Sequence, residues 1–131
     1  MAQQKCELPK KGQLLSVGEV LFICKKHGRF SLAERILADP PDKPFQSDGC
    51  SSWPDEWQEV DMYEDCFLHD IEYWCGGSEA DKLIADLQLA MGIARKGAPK
   101  MAEIMFNGVR VGGVDWLPTP WRWGFGRETQ L

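Results

Sequence analysis

Within eight residues, Cys66-Phe67-Leu68-His69-Asp70-Ile71-Glu72-Tyr73, the chain sets a thiol, an imidazole, a carboxylate and a phenol at helical spacing. On a helix His69 and Tyr73, four apart, share a face, with Cys66 one turn earlier; Asp70 is turned about 100° from His69. An imidazole held by a buried carboxylate keeps one tautomer and works better as a general base. Water would be its natural nucleophile, because no serine or cysteine here stands in a nucleophile-elbow context. Asp70, pointing elsewhere, is free for another task. The run from Phe45 to Trp53 has no periodic pattern, and its Asp48-Gly49-Cys50 supplies a second carboxylate and carbonyls that no regular structure occupies. Two carboxylates with carbonyl oxygens form the kind of donor set calcium prefers. A cation there would polarise an ester carbonyl beside a His-activated water.

Two helices must position these groups. Pro54 suits a first helical position, Asp55 and Glu56 suit the positive end of a helix dipole, and Gly76-Gly77 is a strong stop, which predicts one helix over 54–75. Its stripe of Val60, Tyr63, Phe67, Ile71 and Trp74 is apolar, so this helix would be gripped on that side while His69 faces a polar seam. Ser78-Glu79-Ala80-Asp81 has capping-box spacing and opens a second helix over 78–95, with Ala80, Leu83, Ile84, Leu87, Ala90, Met91 and Ala94 as the stripe expected to be buried. A two-residue turn makes the pair antiparallel. His69 lies about seven residues before that turn, so the level facing it is near residue 84. Asp86 is within about one turn of that level, and Asp81 is somewhat closer to the loop. Asp81 already has a role in the cap whereas Asp86 has none. Asp86 is therefore the favoured partner of His69 and Tyr73, with Asp81 as the fallback.

The rest of the chain is read more coarsely. Pro99 opens a third, shorter helix near 99–107, which fades into the glycines from Gly108 on. Ser31-Leu32-Ala33-Glu34 also has capping-box spacing and predicts a short helix over 32–38, ended by Asp39-Pro40-Pro41-Asp42-Lys43-Pro44. Leu14 to Val17 and Val20 to Cys24 are either two short strands or one broken helix. Residues 116–125, rich in Trp, Pro and Gly, read as ordered loop, and His27 among Lys25, Lys26 and Arg29 as an exposed basic turn.

The segment Cys66 to Tyr73 resembles the C-x-x-H-D-x-x-Y signature of the catalytic helix of secreted-type phospholipases A2. Asp48-Gly49-Cys50, sixteen residues before Cys66, is similar to the short calcium loop of the bacterial members. The resemblance covers about 48–89, and it implies a mainly α fold with a phospholipase A2-like core (motif 45–95) in a single domain over 1–131. It implies His69 as general base, Tyr73 bonded to the orienting carboxylate, and a Cys50–Cys66 bridge. Asp48, the Gly49 carbonyl and Asp70 would be the ligands of Ca2+. The implied activity is calcium-dependent hydrolysis of a carboxylic ester of a glycerophospholipid. The glycine-rich calcium loop of the animal enzymes is absent, as are most of their cysteines.

Composition narrows the alternatives. At 131 residues, 44% hydrophobic and 27% charged, the chain suits one globular domain. Fifteen Lys+Arg against twenty Asp+Glu give a net charge of −5 with no cationic cluster longer than a pair, which argues against nucleic acid as a partner. Five cysteines without a C-x-x-C make zinc remote. No run is long enough to span a bilayer and no signal peptide is evident, so the expected location is cytoplasmic or reached by a non-classical route. Trp121 and Trp123 are candidates for contact with a membrane surface, since indoles favour the headgroup region. The rival reading is a non-catalytic lipid- or partner-binding structural protein, such as a phage or envelope component, that keeps the scaffold without turnover.

Overall fold

The computed structural model describes residues 8–50 and 53–112. Among them the chain is mainly helical, with five helices and two short two-stranded sheets. The order is β1 (Leu14–Leu15), α1 (Val17–Lys26), α2 (Phe30–Ala38), β2 (Phe45–Gln46), β3 (Glu56–Trp57), β4 (Val60–Asp61), α3 (Tyr63–Cys75), α4 (Glu79–Arg95) and α5 (Pro99–Gly112). Strand β1 pairs antiparallel with β2, and β3 pairs antiparallel with β4.

Residues 14–24 are neither two strands nor a broken helix: a two-residue strand leads into α1. Ser16 caps that helix in a full capping box with Glu19. The same Ser-x-x-Glu spacing at Ser31 is not used as a cap. Helix α2 starts earlier, at Phe30 after Arg29, because only three residues join it to α1 and the chain has already turned at Gly28. His27 is not an exposed turn residue either; its side chain is 11% exposed and Nδ1 lies 2.9 Å from a Glu64 carboxylate oxygen.

The expected helix over 54–75 is shorter than its sequence signals. Residues 56–61 form a hairpin whose turn residues Gln58 and Glu59 both have positive φ, 48° and 69°. Such a turn matches the twist of paired strands but is rare without glycine or asparagine. The helix then begins at Tyr63, whose N–H donates to the Asp61 carboxylate at 2.9 Å. At its far end Gly76 and Gly77 have φ of 74° and 144°. A Cβ on Gly77 would sit 2.4 Å from the Asp81 carboxylate, so the turn between α3 and α4 also needs the missing side chain.

Helix α3 divides the core. Phe67, Leu68, Ile71 and Trp74 join Val20, Cys24, Leu32, Ile36 and Phe45 on the α1/α2 side. Met62 and Cys66 join Leu89, Ile93, Met101, Met105 and Val109 on the α4/α5 side. On α4 most of the expected buried stripe faces outward: Leu83, Ile84, Leu87 and Met91 are exposed, Ala90 and Ala94 are partly buried against the core, and Lys82, Ala85, Asp86, Leu89, Gly92 and Ile93 are buried. Buried charge explains the reversal. Lys82 and Asp86 have partners inside, so that face can be covered despite its polarity.

Gly92 lets α4 lie against Asp65 of α3, whose carboxylate is 2.8 Å from Lys96 Nζ. A Cβ at Gly92 would come within 2.1 Å of that carboxylate. Gly92→Ala is therefore expected to lower stability by about 1–3 kcal/mol through overpacking, read as a lower urea midpoint; an unchanged midpoint would show that Asp65 is free to swing away. Helix α5 extends past the expected 107 to Gly112. Gly108 is tolerated within it because the Trp53 indole lies there, 2.4 Å from where a Cβ would stand.

Candidate active site

The α3–α4 hairpin brings His69, Tyr73 and Asp86 together. His69 Nε2 and the Tyr73 hydroxyl both lie 2.8 Å from the same oxygen, Oδ1 of Asp86. Asp86 is fully buried, and His69 and Tyr73 are nearly so. A carboxylate can only accept, so the imidazole donates from Nε2 and carries its lone pair on Nδ1. The two rings lean on each other with centroids 4.4 Å apart. Asp81, the fallback, is engaged elsewhere. It completes the capping box with Ser78 and lies 3.7 Å from Arg35, at the turn.

The other oxygen of Asp86 faces cations. Arg110 Nη1 is 2.7 Å from Oδ2, and Lys82 Nζ, one turn back on α4, is 3.6 Å away. Burial alone would raise the Asp86 pKa; the hydrogen bonds from His69, then Tyr73 and Arg110, outweigh it and hold the carboxyl below the usual range. Burial and the Asp86 charge together push the Tyr73 phenol well up, so it stays a hydroxyl donor. The sequence reading missed both cations. Lys82 has a signal, its i,i+4 spacing to Asp86; Arg110 has none, because it falls where the third helix was expected to have ended.

Asp70 is placed beside the Asp48 loop. A disulfide joins Cys50 to Cys66, fixing the loop to α3 one turn before His69. Ser47 Oγ donates to Asp70 at 2.7 Å and accepts from the Gly49 N–H at 3.0 Å. Asp55 accepts from the Cys50 N–H at 3.0 Å and pairs with Lys11 at 2.9 Å, which holds the loop from outside. Burial, and then the charge of Asp48 alongside, raise the Asp70 pKa well above an ordinary aspartate, although Ser47 works against the shift. Two acids crowded together in this way are what a bound cation would relieve. Among the described residues no group of three or more His, Cys, Asp or Glu side chains is placed to hold a metal ion. A calcium site here would rest on two acids with carbonyl oxygen, a set that suits a hard cation and not zinc.

Between the two groups lies a small cleft of about 40 Å³. His69, Asp70 and Gly49 line its polar side, while Trp53, Leu89 and Met105 line the apolar side. Trp121 and Trp123, the candidates for membrane contact, lie outside the described residues, as does Cys6. Cys24 is a free thiol; burial, with the Glu72 charge second, pushes it up to about 12, which makes it an inert core thiol. No helix among the described residues is long and apolar enough to cross a membrane.

The chain matches no protein-family model, no curated protein and no solved structure. The functional reading therefore rests on the geometry above and on the motif that frames it.

Proposed function

We propose that this protein is a calcium-dependent hydrolase of the phospholipase A2 type, cleaving a carboxylic ester of a glycerophospholipid with a water activated by His69. One observation carries the reading: His69 and Tyr73 meet a single buried oxygen of Asp86 across an antiparallel helix pair, with the Asp48 loop bonded to the same helix one turn earlier. Asp86 fixes the imidazole with its proton on Nε2, leaving Nδ1 to take a proton from water, and Tyr73 keeps the carboxylate oriented. The cleft has room for a water molecule beside the ring. Asp48, Asp70 and the Gly49 carbonyl would hold Ca2+, which supplies polarisation of the ester carbonyl and stabilisation of its developing negative charge.

The rival reading, a lipid- or partner-binding structural protein without turnover, draws on the size of that cleft, too small for an acyl chain while Trp53 stands at its wall. Calorimetric titration with calcium, followed by a fatty-acid release assay on mixed micelles, separates the two. The hydrolase predicts calcium binding and release that a chelator abolishes. Binding without release would favour the rival, and release indifferent to chelation would overturn the calcium mechanism.

A further inference from the structure

We infer that Arg110 is a positioning residue, holding the Asp86 carboxylate in the one orientation that serves His69 and Tyr73. The inference deepens the proposed function and, for its kinetic arm, rests on it.

Asp86 has two oxygens with different tasks. Oδ1 accepts from both His69 and Tyr73, at 2.8 Å each. Nothing in the aspartate itself fixes that orientation, because the last torsion of the side chain is broad and roughly two-fold. Lys82 could turn it, being a buried ammonium on the same helix and 3.6 Å from Oδ2, too long for a hydrogen bond. Arg110 supplies the close contact instead, 2.7 Å from Oδ2, and does so from a third helix. A charge-assisted bond of this length is stronger than a neutral one and leaves Oδ1 free for the imidazole and phenol. The neighbouring residue reaches the same group: the Val109 carbonyl lies 3.5 Å from the Tyr73 hydroxyl, a weaker second acceptor beside Oδ1. The last turns of α5 thus touch two members of the constellation, so the seating of α5 on α4 decides how the imidazole is held.

The contact involves a single guanidinium nitrogen and is not bidentate. A point charge at the same place should therefore do the work, and this separates positioning by charge from simple packing of a long side chain. The chain has two histidines, so the side-chain N–H signals of His69 are assignable in a 15N-labelled sample once His27 is replaced in a reference variant. The measurement compares the wild-type chain with Arg110→Gln and Arg110→Lys at one fixed pH. It follows the Nε2–H proton of His69, shielded from solvent by its bond to Asp86, and kcat and KM on micellar phosphatidylcholine.

Arg110→Gln is expected to lose the shielded proton signal and to lower kcat about 10- to 100-fold with little change in KM, the size of effect expected when a group near the chemistry drifts by about an ångström. Arg110→Lys is expected to keep the signal and most of kcat. The inference is overturned if Arg110→Gln keeps the signal, if Arg110→Lys is as impaired as Arg110→Gln, or if the wild-type chain shows no shielded proton. Should Arg110→Gln fail to fold, Arg110→Lys decides alone: a retained signal supports positioning by charge, and a lost one overturns it. Should the wild-type chain hydrolyse no lipid, the hydrolase reading falls, while the proton signal still decides the role of Arg110.

Discussion

Asp86→Ala is expected to lower folding stability by about 3–5 kcal/mol, the cost of leaving buried charge without its partner. Few substitutions in this chain should match it, because Asp86 is 0% exposed and four groups converge on it. Removing the carboxylate strands Lys82, 5% exposed, and half-exposes the problem at Arg110, which retains some access to water. It also takes the acceptor from the Nε2–H of His69 and leaves the Tyr73 hydroxyl facing the Val109 carbonyl at 3.5 Å, losses that form part of that figure. Against a total stability of about 5–15 kcal/mol, a loss of this size takes a substantial part of the fold. Urea denaturation measures it, as a lower midpoint with an unchanged slope. The pH dependence has a definite sign. The Asp86 pKa is lowered in the folded chain, so its contribution is complete above the unfolded aspartate value near ~3.9 and disappears as pH falls through the folded value. The gap between wild type and variant should therefore be widest at neutral pH and close in acid. A neutral-pH loss under about 1 kcal/mol would mean that Lys82 and Arg110 find water as readily as they found the carboxylate.

The meeting of His69 with Asp86 was legible in the sequence because it follows from local signals that agree. A double glycine, a serine cap with its acid three residues on, and helical rise together set which levels face each other across the hairpin. The Asp48 loop was legible in part from its own donors, two carboxylates with unoccupied carbonyls, but Asp48-Gly49 by itself is an ordinary turn and only its distance from Cys66 set it apart. Other features were hidden for identifiable reasons. Residues 54–62 carry helix-start chemistry, yet the chain spends them on a hairpin whose turn uses Gln58 and Glu59 in a left-handed conformation that neither residue signals. On α4 the apolar count favours the face with Leu83, Ile84, Leu87 and Met91, and tertiary charge pairing buries the opposite one. Amphipathic reasoning assumes that charge stays outside, and it fails where buried ion pairs place charge within. The buried Glu72 shows the same failure: it lies on α3 between Arg29 and Arg35, joining the helix to the start and the body of α2, and no local spacing reveals that network.

His69→Gln is expected to lower lipid-ester hydrolysis about 10³-fold or more while changing stability by no more than about 1 kcal/mol. The substitution is chosen because it separates the two roles of the ring. A glutamine amide can still donate to Oδ1 of Asp86, where Nε2 donates at 2.8 Å, so the buried carboxylate keeps its partner. It has no lone pair of comparable basicity to take a proton from water, and the general-base step is lost with the scaffold left standing. Asp86→Ala, by contrast, should lose both stability and turnover, so the pair of variants distinguishes an acid that holds the site together from a base that works in it. The comparison needs only the urea midpoint and the fatty-acid release rate of each folded variant, with calcium held constant. If His69→Gln retained more than about a tenth of the wild-type rate, the water would have to be activated by something other than the imidazole. The shared oxygen of Asp86 would then be a device for packing three helices, and the general-base role of His69 would fall while the chain remained a hydrolase.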